Sequence, residues 1–175
     1  PGIERIRFTT SHPVEFRDSL IEAFRDVPQL ANHLHLPVQS GSPRLLREMN
    51  RDYTLDQYLA AIDAARGAMP DLAVTTDLIV GFPGETLDDF EQTLALVERI
   101  RYDTFYAFKY SPRSGTAAAR REDDVTDEEK QRRLAILLAA QRRLSHEVNQ
   151  AWVGRTVEVL IEGRDEKHGN GLTRT

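Results

Sequence analysis

Cysteine is absent from all 175 residues. That removes disulfides, thiolate metal sites and a cysteine nucleophile from this segment. Long apolar runs are also missing. No stretch approaches the roughly 20 residues that a membrane-spanning helix needs, and nothing reads as a signal peptide. The expectation is a cytoplasmic protein without a membrane partner. Positive charge is not in excess either: 23 Lys and Arg stand against 28 Asp and Glu, a net charge of -5. General affinity for polyanions is therefore not expected, and any contact with RNA has to come from a local basic patch. Hydrophobic residues make up 40% of the chain, enough for one sizeable core or for part of a larger one. The first residue is Pro1 and the last ones, Gly171 to Thr175, stop inside a polar stretch. Both ends read as cut from a longer protein.

The stretch that organises the rest is Asp77-Leu-Ile-Val-Gly-Phe-Pro-Gly-Glu85. An apolar run from Leu72 to Val80 breaks at Gly81, turns through Phe82-Pro83-Gly84, and enters a helix whose start is marked by Thr86 and Asp89. A buried strand, a glycine-hinged turn and a capped helix make one β–α unit. In parallel α/β proteins ligands sit at the carboxyl ends of the strands. This turn can bring bare backbone amides and the Glu85 carboxylate to a ligand; equally, it can be a turn that needs glycine for its dihedrals alone. It is no P-loop, because no Gly-Lys-Ser/Thr follows.

Three more such units flank it. Ile3 to Thr9 alternates apolar and polar residues, the mark of a strand. Pro13 opens a helix with Phe16, Leu20 and Phe24 spaced four apart, stopped by Pro28. His33 to Val38 reads as the second strand, closing in Gln39-Ser-Gly-Ser42. Ser42 with Pro43 starts a short helix to Met49. Thr54 and Gln57 form a capping box for a helix ended by Pro70. Thr104 to Tyr110 is the fourth strand. It is followed by Ser111-Pro-Arg-Ser-Gly-Thr116, a charged loop, and a long helix capped by Thr126 and Glu129. That helix buries Leu134, Leu137, Leu138, Gln141, Leu144 and Val148, leaving Arg132-Arg133 and Arg142-Arg143 as a solvated surface. After Gly154, Thr156 to Ile161 alternates as a lone strand. The fold class is α/β, with a parallel sheet over residues 1–154 and a second, all-β domain beginning near Arg155 and running to 175.

Candidate chemistry gathers at the strand ends. His33 and His35 leave the same face of one strand, a pairing that suits a metal site, although no carboxylate and histidine set completes a shell: His12, His146 and His168 are scattered. Gln39 and Ser40 can hydrogen-bond sugar hydroxyls or simply shape a turn. Asp77 lies inside an apolar strand and needs a partner or a ligand. Arg113 sits in a turn fit for an anionic group or an RNA phosphate. No nucleophile–base pair and no paired carboxylates stand out, so an enzyme built this way relies on a bound cofactor.

Four motifs act together: Thr9-Thr-Ser-His-Pro13, His33-Leu-His-Leu-Pro-Val-Gln-Ser-Gly-Ser42, Thr76-Asp-Leu-Ile-Val-Gly-Phe-Pro-Gly-Glu-Thr86 and Tyr110-Ser-Pro-Arg-Ser-Gly-Thr116. In this order and spacing the chain resembles the radical S-adenosylmethionine methylthiotransferases, most closely the MiaB type, from Pro1 to about Gly163. The resemblance implies the last four units of a six-unit radical SAM (βα)6 barrel, followed by the start of an OB-like TRAM domain. It implies that S-adenosylmethionine is held by Gln39 and Ser40 on the ribose and methionyl side. Ile79, Gly81 and the turn to Glu85 then lie toward the adenine side, Asp77 is a further cofactor-binding residue, and Phe108 to Tyr110 offer backbone contacts to adenine. Arg113 would face RNA. The activity implied is methylthiolation of C2 of isopentenyladenosine beside the tRNA anticodon. The implied cofactors are S-adenosylmethionine and two 4Fe–4S clusters, and the partners are the tRNA anticodon stem-loop and an electron donor. The cluster cysteines would lie upstream of Pro1, which leaves this segment alone inactive. Ser114 stands where the family usually has proline, implying a less rigid turn.

Three alternatives stay open beside it. One is a sibling methylthiotransferase acting on threonylcarbamoyladenosine or on a ribosomal-protein aspartate. Another is a metal-dependent hydrolase built on His33 and His35. The last is a non-catalytic RNA-binding module, which the acidic balance disfavours.

Overall fold

The computed structural model describes residues 2–7, 9, 13, 16, 18–157, 160–164 and 171–174. Its parallel sheet consists of β1 (His33–His35), β2 (Ala73–Val80) and β3 (Thr104–Lys109), in that spatial order. A further parallel stretch is marked by single bridges from Ile6 to Leu30 and from Thr9 to His35. The four expected strand positions therefore lie side by side in chain order. Parallel neighbours need crossovers, and these are α1 (Asp18–Asp26), α2 (Pro43–Glu48) with α3 (Leu55–Ala68), and α4 (Leu87–Ile100). The long α5 (Asp127–Gln150) packs back on β3 and α4. A separate antiparallel hairpin pairs β4 (Leu160–Arg164) with β5 (Gly171–Arg174).

Local signals set the helix starts. Thr54 accepts from Gln57 N (3.2 Å) while the Gln57 amide oxygen accepts from Thr54 N (2.8 Å), which closes the expected capping box. Thr86 and Asp89 repeat it at α4, and Thr126 accepts from Glu129 N (3.2 Å) at α5. Ser42 caps α2 with Pro43 in its first turn. The first helix differs from expectation. Pro13 opens a tight turn, closed by Phe16 N donating to Pro13 O (3.1 Å), and the helix proper begins only at Asp18.

The second strand also differs. Regular pairing ends at His35, although Leu36 N still donates to Thr75 O (2.9 Å). The Thr76 hydroxyl repairs the gap, donating to Leu36 O (2.8 Å) and accepting from Val38 N (2.9 Å). The ladder resumes at Gln39, whose N donates to Asp77 O and whose O accepts from Ile79 N, both at 2.9 Å. At the far end, the strand expected over Thr156–Ile161 begins at Leu160. Glu158 and Val159 lie outside the described residues, and the returning strand β5 carries no clear sequence signal.

One sheet face is packed. Leu34, Leu36, Val38, Val74, Leu78, Val80 and Phe105 meet Tyr58 and Ile62 of α3, Phe90, Val97 and Ile100 of α4, and Leu137 and Leu144 of α5. Burying such side chains fully is worth about 1.5–3 kcal/mol each. Because side chains alternate along a strand, the other face carries His33, His35, Thr75, Asp77, Ile79, Tyr106 and Phe108. Tyr106 and Phe108 are more than half exposed there. The buried stripe of α5 corrects the sequence reading. It contains Lys130 and Arg133 beside Leu137 and Leu144, while Leu138 lies in solvent.

Candidate ligand-binding site at the sheet rim

A hollow of about 1110 Å³ opens where the strands end. The strand ends bring Gln39, Asp77, Ile79, Phe108 and Tyr110 to it. One side is closed by Arg47 in the last turn of α2 with Asn50 and Arg51 just after it, and the other by Arg113, Thr116 and Ala117 of the loop after β3. Small-molecule pockets usually measure ~300–1,000 Å³. This one has room for a nucleoside-sized ligand and part of a second molecule. Arg47, Arg51, Lys109 and Arg113 line it against Glu48 and Asp77, so its chemistry suits an anionic group beside a hydroxylated one.

Backbone geometry singles out Gln39. Among the described residues three non-glycine positions have positive φ: Gln39 (71°), Asn50 (55°) and Arg101 (53°). Asn50 follows α2 and Arg101 caps α4, where left-handed residues are ordinary. Gln39 ends no helix. A residue held there costs on the order of 1–3 kcal/mol and points to function when it faces a cleft.

The loop beyond Gln39 is fixed by α4. A Cβ on Gly41 would lie 2.6 Å from Gln92 O and Thr93 Cα, so only glycine fits. Gly41 N donates to the Thr93 hydroxyl (3.0 Å). One turn earlier on α4, Asp89 accepts from Ser42 Oγ (2.5 Å), Thr86 N (2.9 Å), Thr86 Oγ1 (2.6 Å) and the Arg44 guanidinium. Burial alone would raise the Asp89 carboxyl. Arg44, Ser42 and Thr86 outweigh it and hold the group well below the ordinary carboxylate range. A single carboxylate thus ties the Gln39 loop to the Gly81–Thr86 turn.

That turn is braced from behind. Glu85 Oε2 accepts from Gly81 N (2.5 Å) and from Arg133 Nη1 (2.6 Å), and Arg133 also donates to Glu85 O (3.0 Å). Burial pushes the Glu85 carboxyl above its ordinary value, and the Gly81 amide and Arg133 oppose this without cancelling it. Lys130 runs past Gly81, pairs with Asp123 (2.6 Å), and lies 5.7 Å from the Tyr110 ring centre.

Comparison with known proteins fits this geometry. Residues 1–97 match the family model described as the radical SAM superfamily. The chain belongs to the radical SAM superfamily. It is 53% identical over 172 residues to a tRNA-2-methylthio-N(6)-dimethylallyladenosine synthase of Thermoanaerobacter pseudethanolicus, covering 98% of this chain and 36% of that protein. It is 55% identical over 166 residues to the synthase of the same name from Myxococcus xanthus, covering 93% and 36%. The chain thus spans a little over a third of the length of the curated relatives it matches. These relatives bear out the resemblance to the methylthiotransferases of MiaB type. Coproporphyrinogen III oxidase from Escherichia coli, a radical SAM enzyme, superposes with a TM-score of 0.67 at 24% identity, over 80% of this chain and 32% of that one. The α/β class and the partial radical SAM barrel stand on that fold likeness and on the parallel sheet.

Within this radical SAM chain, six of the nine expected site residues line the hollow: Gln39, Asp77, Ile79, Phe108, Tyr110 and Arg113. Ser40, Gly81 and Glu85 do not. Ser40 is buried and accepts from Ser42 N (3.1 Å). Gly81 turns its amide to Glu85, and Glu85 is spent on Arg133. These three shape the rim from outside the hollow, because a carboxylate with a buried cation behind it turns inward. His33 and His35 share the Thr75 hydroxyl, at 3.2 and 2.9 Å. Among the described residues no group of three His, Cys, Asp or Glu gathers to hold a metal, so the pair lacks the shell that the hydrolase alternative requires. His12 and His168 lie outside the described residues.

The sequence reading missed Arg47, Arg51 and Lys109 in the lining, and Lys130 and Arg133 behind it. A signal existed for the last two. Positions 130, 133, 137 and 144 keep the 3–4 spacing of the buried leucines.

Proposed function

We propose that this chain is part of a radical S-adenosylmethionine enzyme that methylthiolates C2 of isopentenyladenosine beside the tRNA anticodon. The observation that supports it most is the convergence on one hollow of Gln39, Asp77, three aromatic residues and four cations. That donor set fits S-adenosylmethionine part by part. Asp77 and the Gln39 amide accept from and donate to ribose hydroxyls. Ile79, Phe108 and Tyr110 offer an apolar wall and backbone edges to adenine. Arg51 and Arg47 suit the methionyl carboxylate. When bound, S-adenosylmethionine supplies a cleavable sulfonium and a transferable methyl group. This chain's residues bind and orient it, and the mouth of the hollow, with Arg113 and Lys109, receives an RNA phosphate.

The iron–sulfur clusters are a different matter. With no cysteine in the chain, its residues do not fit either 4Fe–4S cluster, and the thiolate ligands belong to other parts of the protein. The tRNA anticodon stem-loop, an electron donor, a cytoplasmic setting, and a boundary near residue 154 leading into a TRAM domain are parts of the same reading. No helix among the described residues is long and apolar enough to cross a membrane.

Mass spectrometry of tRNA nucleosides from a strain lacking the full-length gene tests the reading. Isopentenyladenosine without its 2-methylthio group is the expected product. An unchanged 2-methylthio nucleoside, or loss confined to threonylcarbamoyladenosine, overturns the assigned substrate.

A further inference from the structure

We propose that His35 is a positioning residue for Asp77, acting through a one-directional chain of hydrogen-bonding groups on the inner sheet face. The inference rests on the reading that Asp77 receives the ribose of S-adenosylmethionine. His35 Nε2 lies 3.5 Å from Asp77 Oδ2, at the long end of hydrogen-bonding reach. The other ring nitrogen, Nδ1, lies 2.9 Å from the Thr75 hydroxyl, and that hydroxyl is 3.2 Å from His33 Nε2.

A neutral His35 gives this chain one consistent set of proton positions. As a carboxylate, Asp77 only accepts, so His35 Nε2 carries the hydrogen that faces it. In that tautomer Nδ1 holds a lone pair and accepts the hydroxyl proton of Thr75. The Thr75 oxygen is left to accept from His33 Nε2–H. Burial pushes the His33 imidazole below its ordinary value, which favours the form with a single N–H. Every link points toward Asp77.

Packing fixes the ring as well. The edge of His35 meets Tyr106 at a centroid distance of 6.1 Å, and strand register sets His35 directly beside Thr75. One carboxylate oxygen of Asp77 is thereby oriented toward His35, turning the other toward the hollow. The consequence is a fixed acceptor for a ligand hydroxyl. A hydroxyl with no such acceptor would be bound more loosely.

The test is calorimetric binding of S-adenosylmethionine to the full-length protein with its clusters in place. Four forms are compared: wild type, Asp77→Asn, His35→Phe and the double variant, with thermal unfolding recorded for each. Phenylalanine keeps the ring and the Tyr106 contact but removes both nitrogens. His35→Phe is expected to weaken binding by on the order of tenfold, and to add nothing once Asp77 is already Asn. His35→Gln, which returns an N–H near the Nε2 position, is expected to recover most of the loss. Thr75→Val, isosteric and without the hydroxyl, is expected to weaken binding by a few fold, and it stands in should His35→Phe not fold. Additive losses in the double variant, or full affinity in both His35→Phe and Thr75→Val, overturn the positioning role alone. Full affinity in Asp77→Asn overturns the ribose reading beneath it.

Discussion

Removing Arg133 should unsettle this protein in a way that pH can undo. The Glu85 and Arg133 side chains are 1% and 7% exposed, and Glu85 Oε1 has no hydrogen-bond partner among the described residues. Arg133→Met keeps an apolar stem against the Phe90 ring, which the guanidinium now overlies at 5.7 Å, but strands the carboxylate with one backbone donor. Breaking a buried pair from one side typically costs ~3–5 kcal/mol. Glu85 can escape by taking a proton, and that sets a ceiling. Relative to its ordinary value of 4.5, protonation at pH 7 costs about 3.4 kcal/mol and at pH 5 about 0.7 kcal/mol.

A carboxyl whose folded-state value lies above its unfolded one binds its proton more tightly in the folded chain. Its contribution is therefore most favourable at low pH and falls as pH rises past 4.5 toward the folded value. Removing Arg133 raises that folded value further, so the deficit of the variant should be about 3 kcal/mol at pH 7, roughly 6–12 °C in Tm, and under about 1 kcal/mol at pH 5. Thermal unfolding of the full-length protein between pH 5 and 8 measures this, and Glu85→Gln/Arg133→Met should regain most of the loss at pH 7. A deficit that does not change with pH, or one below about 1 kcal/mol at pH 7, would refute the idea that Arg133 exists to neutralise Glu85.

Other perturbations test the rim. Gly41→Ala pushes a methyl group into the α4 backbone, which cannot yield as a side chain can; a loss of about 2 kcal/mol or more is expected by denaturation, and a neutral result removes the close approach. Asp89→Asn frees Arg44 and breaks the link between two loops. It should lower stability by about 2–3 kcal/mol at neutral pH, with the deficit shrinking only under strongly acidic conditions, since the depressed Asp89 carboxyl contributes above its unfolded value and loses that contribution as pH falls through the folded one. Gln39→Ala in the full-length protein should weaken S-adenosylmethionine binding without lowering Tm by more than about 2 °C, because the strained residue serves the hollow; unchanged affinity by calorimetry takes Gln39 out of the site. Residues 1–175 expressed alone leave the outer edge of β3 unpaired among the described residues and should self-associate. A monodisperse, cooperatively melting monomer argues against an incomplete barrel.

Which features were legible in the sequence follows from the range over which each cause acts. Thr54 with Gln57, Thr86 with Asp89 and Ser42 with Pro43 announce helix starts because a cap is satisfied within three residues. The apolar run that ends at Gly81 is equally local, and it puts Asp77 and Ile79 near the rim before any fold is known. The break in the ladder after His35 is not local, because the hydroxyl that bridges it belongs to Thr76, on the neighbouring strand. Arg133 fails for the same reason. A cation beside Arg132 reads as surface, and Glu85, 48 residues earlier, joins Glu129 on its own helix in making its burial tolerable.

The same distinction separates the residues of the hollow from those that hold it. Gln39 and Tyr110 follow strand ends and Asp77 lies in the last half of β2, so the sheet alone delivers them. Arg51 reaches the rim because Ser42 caps a helix too short to carry the chain away from the site, and its C-terminal turn comes back over the strand ends. What holds these loops still is a set of contacts to α4 and α5: Gly41 against Thr93, Ser42 and Arg44 on Asp89, Glu85 on Arg133. The contacts span 45 to 52 positions, each joining the helix of one β–α unit to the strand end of the unit before it. A polar residue at a buried position of such a helix therefore has its partner one unit back, at the end of the preceding strand. Asp89, Thr93 and Arg133 all obey that rule, and it makes the helix interior a place to look for site-supporting residues that composition alone assigns to solvent.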